Sequence, residues 1–140
     1  MEIITTTALM RDWSRACRQA GRSIGLVPTM GFFHDGHLSL MGKAGELADR
    51  VVVSLFVNPI QFGPGEDLTS YPRNLDRDRE LAERNGVDVL FVPTAAEMYP
   101  EPPETRITVA RLSAGLCGRS RPGHFDGVCT VVGKLFNVIS

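Results

Sequence analysis

The sequence predicts an α/β fold, a parallel sheet with helices flanking it. Three observations carry that expectation. The run Val51-Val52-Val53-Ser54-Leu55-Phe56-Val57 is continuous and rich in β-branched residues, which marks a strand buried on both faces rather than one with a wet side. A shorter apolar run, Ile24-Gly25-Leu26-Val27, precedes it with a helical pattern between the two, and strand, helix, strand in that order is a right-handed βαβ unit. Upstream, Met10, Trp13, Cys17 and Ala20 recur at i, i+3, i+7 and i+10 against Arg11, Arg15, Arg18 and Gln19, the pattern of an amphipathic helix.

Taken in order, the first helix covers residues 7–20, with Thr5, Thr6 or Thr7 as cap and Gly21 suited to its C-terminal turn. A strand over 23–28 ends at Pro28, and a second helix runs to about residue 48 with Leu38, Met41, Ala44, Gly45 and Ala48 inward and Asp35 as cap. The central strand, 51–57, leads into Asn-Pro-Ile-Gln-Phe-Gly-Pro-Gly-Glu-Asp at 58–67, a rigid loop by its prolines and glycines. Residues 73–85 read as a charged helix closed by Gly86, with Leu75, Leu81 and Ala82 inward and Asp76, Asp78, Glu80 and Glu83 on the wet face. A third strand over 87–92 stops at Pro93, a proline-rich connection fills 98–104, and 106–109 suggests a short strand. The basic, glycine-rich stretch 117–127 reads as a loop. After it Val128, Val131, Val132, Leu135, Phe136 and Ile139 repeat with helical period, which overrides the β propensity of the valines.

Composition narrows the function. A chain of 140 residues with 43% hydrophobic and 22% charged residues suits one domain, 1–140, of soluble globular type. A net charge of −1 leaves no electrostatic footprint for nucleic acid. Cys17, Cys117 and Cys129 lack Cys-x-x-Cys spacing and read as reduced thiols of a cytoplasmic protein, Cys17 and Cys129 as small hydrophobes on helix faces. Met1-Glu2-Ile3-Ile4 lacks the basic and apolar parts of a signal peptide, and every apolar run is too short to span a membrane.

The chemistry concentrates between the first two strands, in Pro28-Thr29-Met30-Gly31-Phe32-Phe33-His34-Asp35-Gly36-His37. A helix N-terminus after a glycine-bearing turn offers unpaired N–H groups and the positive end of a dipole, which suits phosphate. Gly31 and Gly36 keep side chains out of an anion's way, and His34 and His37, three apart, share one face of the first turn. Two other readings compete: half of a metal site, and a solvated helix start. Asn58 and Gln61 follow the central strand, so they emerge on the same rim as the histidines, with neutral donors and acceptors for hydroxyls and a carboxylate. Arg119, Arg121 and His124 lie before the last helix, as a second anion contact or as an ordinary wet loop.

His-Asp-Gly-His in this setting resembles the signature of the nucleotidyltransferase superfamily, whose Rossmann-like sheet binds ATP at this motif. Four stretches together, Pro-Thr-Met-Gly-Phe-Phe-His-Asp-Gly-His, Phe-Val-Asn-Pro-Ile-Gln-Phe-Gly-Pro-Gly-Glu-Asp, Tyr71-Pro72-Arg73 and Arg-Pro-Gly-His-Phe-Asp-Gly at 121–127, resemble the pantoate–β-alanine ligase family over the whole chain. Phe33 and Asp35 are mild departures, standing where an aliphatic residue and glutamate are commoner. The resemblance implies that ATP and pantoate give pantoyl adenylate and pyrophosphate, after which the amine of β-alanine displaces AMP. It implies that residues 28–37 bind ATP, that His34 and His37 stabilise phosphate charge with His37 as proton donor, and that Gln61 contacts pantoate with support from Asn58. It places Tyr71 at the closing of the site over loop 61–72, puts Arg121 and His124 at the pocket mouth, and brings Mg²⁺ in on the ATP phosphates with no resident metal. It also implies a homodimer, and a chain that is the N-terminal portion of the family enzyme, inactive alone, with the strand at 23–28 on a bare sheet edge. Another His-x-Gly-His adenylyltransferase and a non-catalytic nucleotide-binding module are the rival expectations.

Overall fold

The computed structural model describes residues 1–63 and 71–140, so 64–70 of the expected closing loop lie outside the described residues. Four parallel strands form one sheet: β1 (Glu2–Ile4), β2 (Ile24–Thr29), β3 (Arg50–Leu55) and β4 (Val89–Phe91), in the order β1-β4-β3-β2. The expected α/β architecture is therefore present, with β3 internal and β2 at an edge. Pro28 is tolerated inside β2 for that reason, since a residue without an N–H is confined to edge strands. β1 has no counterpart in the sequence reading. Three residues carry too little period to announce a strand, and Ile4 is buried only because β4 lies beside it.

Successive side chains of the sheet feed two cores. Val52, Val89 and Phe91 point to the face covered by α1 (Thr7–Gln19) and α6 (His124–Ile139), joining Met10, Val131, Leu135 and Val138. Val51, Val53 and Leu90 point to the other face, where α2 (Asp35–Leu47) and α3 (Leu75–Arg84) supply Met41 and Ala82. This alternation is why β3 had to be apolar at nearly every position. Of two short helices, α4 (Ala95–Met98) lies just before the expected proline-rich connection, and α5 (Cys117–Ser120) falls where a glycine-rich loop was expected. Residues 59–61 of the next expected loop make a single 3₁₀ turn. No helix among the described residues is long and apolar enough to cross a membrane.

Several expectations are corrected. Residues 106–109 form no strand, because the Ile107 N–H donates to Thr130 Oγ1 (3.0 Å) instead of to a ladder. His124 opens α6 rather than preceding it, with Gly123 at φ +83° turning the chain into the helix. Leu75 faces solvent, 46% exposed, as the first residue of α3. Asp78 is no part of a wet face: it is 1% exposed, turned in toward the loop after β2. The cysteines are free thiols, Cys17 and Cys129 half-buried and Cys117 exposed.

Candidate active site

The turn after β2 is held from three sides. Thr29 Oγ1 donates to the Ser54 carbonyl (2.8 Å) and accepts from the Gly31 N–H (3.1 Å), tying the ends of β2 and β3 together. Gly31 sits at φ +87°, and a Cβ there would lie 3.0 Å from Leu55 Cγ and 3.1 Å from Asp78 Oδ2, so both conformation and space demand glycine. Phe32 follows, also left-handed at φ +52°. The N–H groups of Phe32 and Phe33 then donate to the two carboxylate oxygens of Asp78, at 2.6 and 2.8 Å. Phe33 buries its ring in the core, its centroid 5.7 Å from that of His37, so it seats the helix start instead of offering its side chain to a ligand.

α2 is capped by His34, not by Asp35. His34 Nδ1 accepts from the Gly36 N–H at 3.2 Å, and His37 Nδ1 faces the His34 N–H at 3.4 Å, a reciprocal cap built from imidazoles. A neutral imidazole whose Nδ1 accepts carries its proton on Nε2. Both rings, their centroids 4.0 Å apart, therefore present an N–H away from the backbone as anion donors. Burial, and next the neighbouring His34, lower the His37 pKa below its ordinary value, while the Asp78 charge opposes this. Gly36 has a local reason as well. A Cβ there would stand 3.0 Å from His34 Cε1 and push the capping ring aside. Asp35, exposed in the first turn, adds charge of the sign the helix dipole favours.

The second wall is built from amides. Asn58, 1% exposed, donates through Nδ2 to Gln61 Oε1 (3.1 Å) and to the Gly127 carbonyl (3.1 Å), and its Oδ1 accepts from the Tyr99 hydroxyl (3.0 Å). Burial raises the Tyr99 pKa to about 12, so the phenol stays a donor. This relay fixes which way each amide faces. Gln61 spends its oxygen on Asn58 and turns Nε2 to Met30 Sδ (3.0 Å) and the cavity beyond. Gly127 permits the arrangement, since a Cβ there would fall 2.5 Å from both Gln61 Cα and the Ile60 carbonyl oxygen. His124 Nδ1 lies 2.9 Å from the Gln61 carbonyl oxygen, and Arg121 Nη1 lies 3.3 Å from His124 Nε2.

These parts meet in a cavity of about 230 Å³ lined by Pro28, Thr29, Met30, His37, Gln61 and Tyr71, with Val128, Val131 and Val132 of α6 as its apolar wall. The structure thus brings the histidine turn and the amide rim together, as the spacing suggested. Arg121 and His124 border a neighbouring cavity of about 580 Å³ that shares Gln61. Phe32 is 45% exposed on the outer side of the turn, under the Arg77 guanidinium, 5.2 Å from its ring centroid. Asp78 and Tyr99 hold the two walls without having been singled out in the sequence, and Gly127 was read only as part of the glycine-rich stretch 117–127. Among the described residues no group of three or more His, Cys, Asp or Glu side chains is placed to hold a metal.

Residues 2–140 match the family model described as pantoate-beta-alanine ligase. The chain is 60% identical to the pantothenate synthetase of Heliobacterium modesticaldum and 56% identical to that of Syntrophus aciditrophicus, in each case over 99% of its own length. It covers 50% and 49% of those two proteins, so it spans about half the length of the curated relatives it matches. Among solved structures, the pantothenate synthetase of Thermus thermophilus superposes with a TM-score of 0.89 at 47% identity, covering 99% of this chain and 49% of that one. The pantoate-beta-alanine ligase of Francisella tularensis, solved in complex with beta-gamma ATP and beta-alanine, superposes with a TM-score of 0.92 at 39% identity, covering 99% of this chain and 53% of that one. With a parallel sheet of the same build and a match from end to end, the chain belongs to the pantoate–β-alanine ligase family.

Proposed function

We propose that this chain carries the ATP and pantoate sites of an enzyme that condenses pantoate with β-alanine. One observation supports it above the others: His37 and Gln61 line the same small cavity, one bringing an anion-binding N–H and the other a neutral amide donor. At about 230 Å³ the cavity falls below the range of about 300–1,000 Å³ usual for drug-sized ligands. It suits a small hydroxy acid and not a whole nucleotide. The gem-dimethyl carbon of pantoate has its match in the valines of α6, and its carboxylate and hydroxyls have theirs in Gln61 Nε2 and Tyr71. The ATP phosphates then lie across the start of α2, at the Nε2–H groups of His34 and His37.

The reaction follows from that placement. A pantoate carboxylate oxygen attacks the α-phosphorus, the bond to the bridging oxygen breaks, and pyrophosphate leaves with the electron pair. The amine of β-alanine next attacks the acyl carbon of pantoyl adenylate, AMP departs as its phosphate oxygen takes the C–O electrons, and the amide nitrogen gives up one proton to solvent. In-line transfer at phosphorus asks little covalent help, so the chain's part is positioning and charge stabilisation. Mg²⁺ would enter with ATP, held mainly on the phosphate oxygens, and would neutralise charge there. The same reading makes the protein a cytoplasmic homodimer. Residues 1–140 alone bind ATP without sustained turnover. Calorimetry with ATP and then pantoate, beside pantoate-dependent pyrophosphate release in the whole protein, tests the proposal. Pyrophosphate release driven by a phosphorylated acceptor instead of pantoate would overturn it.

A further inference from the structure

The turn that presents the histidines is not at rest by itself. Gly31 and Phe32 are both left-handed, a conformation that strains a residue with a side chain. Two adjacent N–H groups, those of Phe32 and Phe33, also point inward, where leaving them unmet would be expensive. Asp78 answers both needs. Its carboxylate is 1% exposed, arrives from α3 on the opposite side of the loop, and takes one N–H on each oxygen. A buried carboxylate is itself costly unless it is hydrogen-bonded and paired; the two amides and the Arg77 guanidinium, 3.6 Å from Oδ1, supply that. Arg77 also lies over the ring of Phe32, so α3 grips this residue from the backbone side and from the ring side.

We propose that Asp78 is a positioning residue of the nucleotide site, clamping the Phe32–Phe33 backbone so that His34 caps α2 and both imidazoles face one anion. The inference rests on the nucleotide reading for its ligand, and on the two carboxylate hydrogen bonds for its mechanism. Both carboxylate oxygens are spent on the loop backbone, with Arg77 beside one of them. Asp78 acts through Phe33, whose backbone leads directly into His34 and whose ring packs near His37. Asparagine in its place has nearly the same shape but one acceptor fewer, so its Nδ2 must meet one of the two N–H donors head on.

The test uses the chain as it stands. Asp78→Asn should weaken ATP binding at least about tenfold by calorimetry, as expected when a buried donor loses a charged acceptor. It should also remove the nuclear Overhauser contact between the His34 and His37 rings while circular dichroism still reports a folded sheet. Val87→Ala serves as the comparison, because Val87 is 4% exposed in the same core and its N–H donates to the Ala82 carbonyl, not to the turn. It should cost stability yet leave ATP affinity within about twofold, as distant sites do. Equal losses in both variants, or an unchanged affinity in Asp78→Asn, would overturn the proposal. Should Asp78→Asn fail to fold, the unmodified chain decides: the Phe32 and Phe33 amides must exchange slowly with solvent, and free exchange of both sinks the clamp. If the unmodified chain gives no heat with ATP, it is the nucleotide reading that falls. Amide protection and the ring contact then still settle the role of Asp78.

Discussion

The two walls of the site are made in opposite ways. The histidine cap is local: His34 bonds to Gly36 and faces His37, all within four residues, and only the turn leading into it is anchored from afar, by Asp78. The amide rim is assembled from afar, as Asn58 meets Tyr99 and Gly127, 41 and 69 residues away along the chain. A local motif concentrates its chemistry in a few positions, so a single substitution there should strike binding or rate with little effect on the fold. A rim held by distant partners spreads its burden, and substitutions should blur together stability, pantoate affinity and the aim of Gln61.

The sharpest way to break this contrast is at His37. His37→Ala in the whole protein should lower the rate of pantoate-dependent pyrophosphate release by about 10²–10³, the loss seen when a preorganised charge-stabilising donor is removed. Its melting temperature should hardly move. A large loss of stability would show that the imidazole is a structural cap first and a phosphate donor second. Next in size is Gly127→Ala. Its new Cβ would fall 2.5 Å from Gln61 Cα and the Ile60 carbonyl oxygen, and neither is a side-chain tip that can swing away. Overpacking of that kind costs about 1–3 kcal/mol. Urea denaturation should report it, along with a raised KM for pantoate and an unchanged affinity for ATP. Loss of both affinities together would mean that the walls are not separable.

This difference also explains what could be read from the sequence. The order of strands and helices and the buried β3 were legible because hydrophobic period is a local property. The His-Asp-Gly-His turn was legible because its residues are neighbours. Asn58 and Gln61 were readable as residues on the right rim, since loops after parallel strands share one end of the sheet. Their mutual orientation was not, because Tyr99 and Gly127 reach them only in the folded chain. Asp78 shows the limit most clearly. Four carboxylates along a charged helix look alike in sequence, and only the position of α3 beside the β2 turn singles out the one that is buried. β1 escaped for a related reason: three residues form a strand only because β4 gives them a partner.

A finer cut goes through the relay behind Gln61. Tyr99→Phe removes one neutral hydrogen bond, worth about 0.5–1.5 kcal/mol, and frees the Asn58 amide to turn over. If the relay sets the aim of Gln61, KM for pantoate rises several-fold while kcat and ATP affinity stay near the parent values. A fall in stability with no change in KM would reduce Tyr99 to a core residue that happens to end in a hydroxyl.

The smallest expected effect is on pH. His37 has its pKa lowered chiefly by burial and then by His34, so the folded chain binds its proton less readily than the unfolded chain does. Where the unfolded state holds more protons, stability rises with pH. The contribution of His37 is therefore full above the ordinary histidine pKa of about 6.5 and is lost as pH falls from there through the lowered folded value. The ring is partly open to solvent, so the slope should be shallow. Urea midpoints measured between neutral and mildly acidic pH should fall gently, and His37→Asn should flatten the part due to this residue. ATP bound at the same ring reverses the sign locally, because phosphate charge favours the imidazolium. Nuclear magnetic resonance titration of His37 should then give a midpoint below the ordinary value in the free chain and an upward shift when ATP is added. A midpoint indifferent to ATP would place the phosphates elsewhere, and with them the chemical purpose of the local wall.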